Sequence, residues 1–183
     1  MQKDFKRVKD SQVVISELML PSHSNFNGKI HGGYILSLLD QIAFACASKH
    51  SRAYCVTASV DTVDFLRPIE IGELVTMKAS VNYVGRSSMV IGIRVEAENI
   101  QTGDIKHCNS SYFTMVAKND KGKSVAVPGL ILKTDNQIRR FAKSIKRKNM
   151  KSNRVKEFHE TDFSSEKYLH ILEDHKVKIE LDS

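Results

Sequence analysis

Of 183 residues none is tryptophan, only three are proline and only three are cysteine. The cysteines, Cys46, Cys55 and Cys108, are odd in number, far apart and set in apolar or strand-like sequence. No pair has the spacing of metal ligands, so buried reduced thiols are expected and no metal site is. No apolar run is long enough to span a bilayer; the longest, from Tyr34 to Ala47, carries Ser37, Asp40 and Gln41 inside it. The basic residues of the opening MQKDFKRVKDSQ are followed by neither an apolar stretch nor a small-residue cleavage site, so no secretory signal is expected and the expected compartment is the cytoplasm. A Gly-x-Ser-x-Gly elbow, a dinucleotide-binding glycine pattern and a P-loop are all missing, as are internal repeats.

Charge of one sign is abundant only locally. The net charge is +7, but residues 1–130 hold 15 Lys/Arg against 12 Asp/Glu, residues 131–160 hold 10 against 3, and residues 161–183 hold 3 against 6. The basic character belongs to one segment. Within 135–147, Ile138, Phe141, Ala142 and Ile145 recur at helical spacing among Arg139, Arg140, Lys143, Lys146 and Arg147, predicting an amphipathic basic helix. Docking of its Ile138/Phe141/Ile145 face on the body or on a neighbouring subunit ranks first, and contact with an anionic membrane surface second. Nucleic acid is not an expected partner, because aromatics do not interleave the basic residues. Beyond Lys148 only weak order is expected, with a short element at 166–173.

The body alternates. Residues 10–20 read as a strand ended by Pro21, followed by a Ser/Asn/Gly-rich loop. Residues 33–48 are apolar almost all round, which predicts a buried helix. Residues 55–66, 74–84, 89–98 and 106–117 then read as strands; Val75, Met77, Ala79, Val81 and Tyr83 alternate with Thr76, Lys78, Ser80 and Asn82. The fold class is α+β: one antiparallel sheet wrapped around one long helix. Residues 1–130 form that domain, and 131–183 a basic helix and tail.

Two features in this frame point to chemistry. Asp40 sits in the middle of the apolar helix, where an unpaired buried carboxylate is costly, so it either serves function or anchors a polar subunit seam. Gly32 and Gly33 stand at the helix start, where free N–H groups and the positive dipole end can polarise a carbonyl. Tight packing is the plainer reading of that glycine pair. Asp40 lies about 10 Å further along the helix.

The segment Pro21 to Gly33 (PSHSNFNGKIHGG), with Ser37 and Asp40, resembles the active-site segment of YciA-type and brain-type acyl-CoA hydrolases. Val60 to Glu73 (VDTVDFLRPIEIGE) resembles the second strand and turn of that family, and Val84 to Ser88 (VGRSS) its later turn near bound CoA. The likeness spans roughly residues 10–130. It implies a hotdog fold and a cytoplasmic thioesterase that hydrolyses fatty acyl-CoA without a cofactor, CoA being part of the substrate. It also implies homodimers, often assembled as trimers of dimers, with Asn25 of one subunit facing Asp40 of the other. Asp40, Asn25 and the Gly33 N–H are the catalytic candidates; Gly32, His31, Gly85, Arg86, Ser87 and Ser88 are expected to contact CoA. Arg forks and hydroxyls suit the phosphates of the nucleotide end. Asp40 serves as base toward water or as nucleophile, and the acyl pocket is expected around Tyr34, Phe44 and Phe65. A non-catalytic acyl-CoA sensor is one alternative. A dehydratase using His31 with Asp40 is the other, although His31 reads better as an accessory residue.

Overall fold

The computed structural model describes residues 4–61, 63–164, 172 and 175–180. A short strand β1 (Phe5–Arg7) and one helical turn α1 (Val8–Ser11) precede strand β2 (Val13–Leu18). After a 3-10 turn at Pro21–His23 comes the long helix α2 (Gly32–Ser51), then strands β3 (Tyr54–Val60), β4 (Glu73–Val84), β5 (Ser88–Asn99) and β6 (Ile105–Lys118). A short strand β7 (Gly129–Ile131) and helix α3 (Asp135–Glu160) follow. Five strands form one sheet in the order β2-β4-β5-β6-β3, every neighbour antiparallel. β1 and β7 make a separate parallel pair, Phe5 opposite Gly129.

The alternation in β4 and β5 builds the core. Val75, Met77, Ala79 and Val81 are buried on one face with Met89, Ile91, Ile93 and Val95, and they enclose Ile35, Leu39, Ile42, Ala43 and Cys46 of α2. Burying side chains of this size stabilises by about 1.5–3 kcal/mol each. α2 ends where Arg52 turns left-handed (φ 59°) and its N–H caps the Ser48 carbonyl at 2.8 Å. The three thiols are free and buried. Burial pushes the Cys46 thiol up to about 12 and raises that of Cys108.

At the C-terminal end of α2 lies a buried polar knot. His50, fully buried, bonds through Nδ1 to Ser11 Oγ at 2.8 Å and through Nε2 to the Pro128 carbonyl at 3.0 Å. Nε2 therefore carries the proton and Nδ1 accepts from the serine. Lys6 Nζ donates to the His50 carbonyl at 2.6 Å. One imidazole thus ties α1, α2 and the segment entering β7 together.

The structure corrects four expectations. The strand expected over 55–66 stops at Val60; beyond it Asp61 N still meets Tyr112 O, Asn109 Nδ2 meets Asp64 O and Leu66 N meets Cys108 O, all at 2.9 Å, which keeps these residues beside β6 without forming a ladder. Second, α2 is not buried on most sides: Gly33, Leu36, Ser37, Asp40, Gln41 and Phe44 form an exposed stripe. The sheet curls over one side of the helix and leaves the other exposed. Third, α3 does not end near Lys148 but runs to Glu160. Fourth, of the expected Ile138/Phe141/Ile145 face only Phe141 docks, 5.1 Å from the Tyr83 ring, with buried Ser144 beside it, while Ile138 and Ile145 are exposed. The element expected at 166–173 lies outside the described residues. Two compact units result, Met1–Ile145 and Lys146–Ser183. No helix among the described residues is long and apolar enough to cross a membrane.

Candidate active site

Asp40 projects from the exposed stripe of α2 toward β3, the edge strand of the sheet. Its Oδ1 accepts a hydrogen bond from Thr57 Oγ1 at 2.5 Å. Thr57 Oγ1 also lies 3.4 Å from Met115 Sδ. Gln41, Phe44, Tyr54 and Val56 complete an open depression of about 510 Å3 around the pair. The carboxylate is thus exposed rather than buried in the single chain, which corrects the burial expected from its apolar surroundings. Strand parity, which sets Thr57 on the same side as buried Cys55, was the available signal for the threonine, and sequence reasoning passed over it.

The helix start is built differently from the expectation of two free donors. His31 is the N-cap of α2, and its Nδ1 accepts from Gly33 N at 2.9 Å. The Gly33 N–H is thereby engaged, while the Gly32 N–H finds no acceptor among the described residues. A Cβ on Gly32 would stand 3.4 Å from the Phe65 ring, so that ring lies close over the helix start. Tyr34, in the first turn, donates to Glu17 and stacks on His23 at 4.0 Å. That bond, with burial, pushes the Tyr34 phenol up to about 12.

Asn25 sits in a tight loop closed by Asn25 N to Lys29 O at 2.7 Å and turned at Gly28 (φ 72°). Its Oδ1 accepts from the N–H groups of Asn27 and Lys29 at 2.9 and 3.2 Å, which fixes the orientation of the amide. The side-chain NH2 group is left without an acceptor among the described residues. The Lys29–Glu70 ion pair at 2.6 Å pins the loop, and Phe26 at its tip is fully exposed. Asn25 and Asp40 do not touch within one chain.

The Val84–Ser88 turn joins β4 to β5 on the rung next to Thr57. Thr57 pairs with Met115, Met115 with Met89, and Met89 with Val84. Two strand spacings separate β3 from β5, about 10 Å. Val127 N and Ala117 N brace the carbonyls of Arg86 and Ser87, while the Arg86 side chain is exposed. A Cβ on Gly85 would meet Ser88 Oγ at 2.8 Å, so a side chain there would displace the Ser88 hydroxyl. Asp40 and Thr57 are brought together directly, the 85–88 turn stands two strands away, and the Asn25 loop stands before the helix. Among the described residues no cluster of His, Cys, Asp and Glu could hold a metal ion.

Residues 27–103 match the family model described as "Thioesterase superfamily". The chain is 44% identical over 142 residues to protein VdlD of Helicobacter pylori, covering 78% of this chain and 81% of that one. It is 36% identical over 146 residues to YkhA of Bacillus subtilis, described as an uncharacterized acyl-CoA thioester hydrolase, covering 80% of this chain and 85% of that one.

The chain belongs to the thioesterase superfamily.

The hotdog fold follows from the same comparisons. A hexameric acyl-CoA thioesterase superposes with a TM-score of 0.81 at 33% identity, covering 83% of this thioesterase-superfamily chain and 97% of the other. The acyl-CoA hydrolase of Staphylococcus aureus, solved with butyryl-CoA, CoA and CoA disulfide, superposes at 0.78 and 29% identity, covering 93% and 99%. That hydrolase has also been solved as three variants in which an aspartate, an asparagine and a threonine are in turn replaced by alanine. There the asparagine precedes the aspartate by 15 residues and the threonine follows it by 17. Asn25, Asp40 and Thr57 of this thioesterase-superfamily member have the same spacing.

Proposed function

We propose that this protein is an acyl-CoA thioesterase that hydrolyses fatty acyl-CoA to fatty acid and CoA. The observation that carries the reading is the Thr57–Asp40 hydrogen bond of 2.5 Å at an open cleft on α2. The threonine hydroxyl holds one carboxylate oxygen and leaves the other to accept a proton from water. That water attacks the thioester carbonyl, the oxyanion is met by N–H donors, and CoA departs as thiolate, a leaving group that needs little acid assistance. Gly32 N–H and the Asn25 NH2 group are the donors without acceptors among the described residues, and they suit an oxyanion. Gly33 N–H serves only if His31 Nδ1 releases it. Arg86, Ser87 and Ser88, with Gly85 shaping their turn, receive the phosphates of CoA, and His31 and Gly32 border the acyl thioester.

The site is completed by a second subunit. The exposed stripe of α2 carries Leu36 and Phe44, and β3 beside it is an unpaired edge with Tyr54 and Val60 exposed. Pairing these surfaces between two copies buries the cleft and raises the strength of its electrostatics. The Asn25 of one copy then faces Asp40 of the other. Three such dimers make a hexamer, the state of the acyl-CoA thioesterase that superposes on this chain.

CoA-thiol release from acetyl- to palmitoyl-CoA tests the activity in the wild type and in Asp40→Ala. Hydrolysis by the wild type that falls about 1,000-fold or more in a folded mutant supports the reading, in line with loss of a catalytic base. Tight acyl-CoA binding with no turnover on any chain length would leave a sensor. Turnover unchanged in the mutant would remove Asp40 from the mechanism.

A further inference from the structure

A second concave surface lies on the face of the sheet away from α2, where α3 crosses β4 and β5. Lys78 and Arg94 stand directly opposite each other in the β4–β5 register, an arrangement of like charges that destabilises a sheet unless it is answered. Glu96 answers both, at 2.6 and 2.7 Å, and its carboxyl is held below the usual range by Lys78 and Arg94. α3 then brings Arg139, Arg140 and Lys143 to the same groove. Positions 139 and 143 are an i, i+4 pair of like charge, which weakens a helix. None of these three makes an ion pair among the described residues.

The floor of the groove is polar and built to shape. Ser80 and Asn82 are only 5% and 6% exposed. Ser80 Oγ donates to Asn82 Oδ1 at 3.1 Å and accepts from Arg140 Nη1 at 3.5 Å. Asn82 lies against Gly92, where a Cβ would stand 2.1 Å from its Nδ2. Most of the guanidinium N–H groups of Arg140 are left over, because such a group carries five. The groove holds about 420 Å3, within the range of roughly 300–1,000 Å3 of small-ligand pockets. A plain solvated basic face needs neither a recess nor buried amide and hydroxyl groups beneath it.

We propose that this groove binds a small anion carrying two or more phosphate groups, at a site separate from the thioester cleft. Arginine forks and lysine point charges converging from a helix and two strands suit phosphate oxygens, and a bound polyphosphate removes the repulsion among them. The site lies on the opposite face of the sheet from Asp40, so it stands whether or not the hydrolase reading does.

Calorimetric titration of the full-length protein with inorganic tripolyphosphate tests it. Saturable binding of one tripolyphosphate per chain is expected, weakened about tenfold in Arg140→Gln, the loss typical of one charge-assisted contact. Lys143 is exposed and bonded to no described residue, so Lys143→Gln reads the groove without disturbing the fold, and it weakens binding too. Lys121→Gln, an exposed lysine outside the groove, leaves binding unchanged. Absence of saturable binding, or equal weakening by Lys121→Gln, overturns the proposal in favour of diffuse charge. Displacement of tripolyphosphate by CoA overturns it in favour of a groove belonging to the substrate.

Discussion

The hydroxyl of Thr57 donates to Oδ1 of Asp40 across 2.5 Å, joining the exposed stripe of the central helix to the edge strand of the sheet. If that bond fixes the rotamer of the carboxylate, Thr57→Val, which keeps the shape and removes the donor, lowers kcat by about 10- to 100-fold. This is at or below the loss of a direct oxyanion donor. Thr57→Ser keeps most of the activity. Thermal melting of both variants stays near that of the wild type, because the site is exposed. Undiminished kcat in Thr57→Val excludes an orienting role.

Burial, with the Lys6 ammonium nearby, lowers the affinity of His50 for a proton by more than the Pro128 carbonyl restores. The unfolded chain takes up that proton near the ordinary value of 6.5 while the folded chain does not. Stability is therefore full above that pH and falls as pH drops through it toward the lowered folded value. Urea melts from pH 8 to pH 5 should show a steeper loss for the wild type than for His50→Gln. Ser11→Ala, which strips Nδ1 of its partner, costs about 1–3 kcal/mol at pH 8.

Gly92 and Asn82 form a coupled pair. Gly92→Ala forces Asn82 to shift and destabilises by about 1–3 kcal/mol. In Asn82→Ala the obstructing amide is gone, so Gly92→Ala in that background costs less than in the wild type. Denaturant melts of the four proteins in this cycle measure the coupling; strict additivity rules out the contact.

The thiols of Cys46 and Cys108 are both raised by burial, the former to about 12. Neither reacts appreciably with a disulfide reagent at pH 8 in the folded protein, and both react within minutes in denaturant. Fast labelling of the native protein at either position contradicts the burial described for it.

Local pattern carried much of this in the sequence. The parity of Val75 to Val81 and of Met89 to Ala97 announced β4 and β5 within a residue or two, because one wet face imposes a period of two; the register shift between Val81 and Tyr83 breaks it at Tyr83. The apolar run after Gly33 announced α2. What stayed hidden depends on distant partners. Apolar residues such as Leu36 and Phe44 look alike in sequence whether sheet or another subunit covers them, so the exposed stripe could not be read. Thr57 looks like any strand threonine until the helix sets Asp40 against it. The role of His31 as the cap that engages Gly33 is a matter of rotamer, which spacing does not encode. Of the expected face of α3 only Phe141 docks, on Tyr83 of β4, with Ser144 in place of Ile138 and Ile145.

The pairing of Phe5–Arg7 with Gly129–Ile131 has a consequence in time rather than in space. During synthesis the earlier strand has no neighbour until more than a hundred further residues have left the ribosome, and closing so wide a separation is slow. Before that moment His50 lacks the Pro128 carbonyl, and the sheet must hold together without its clasp. A released chain that ends short of residue 128 should therefore resist proteolysis across β4 to β6 yet be cut readily before Val13, and extending it past Ile131 should close that window.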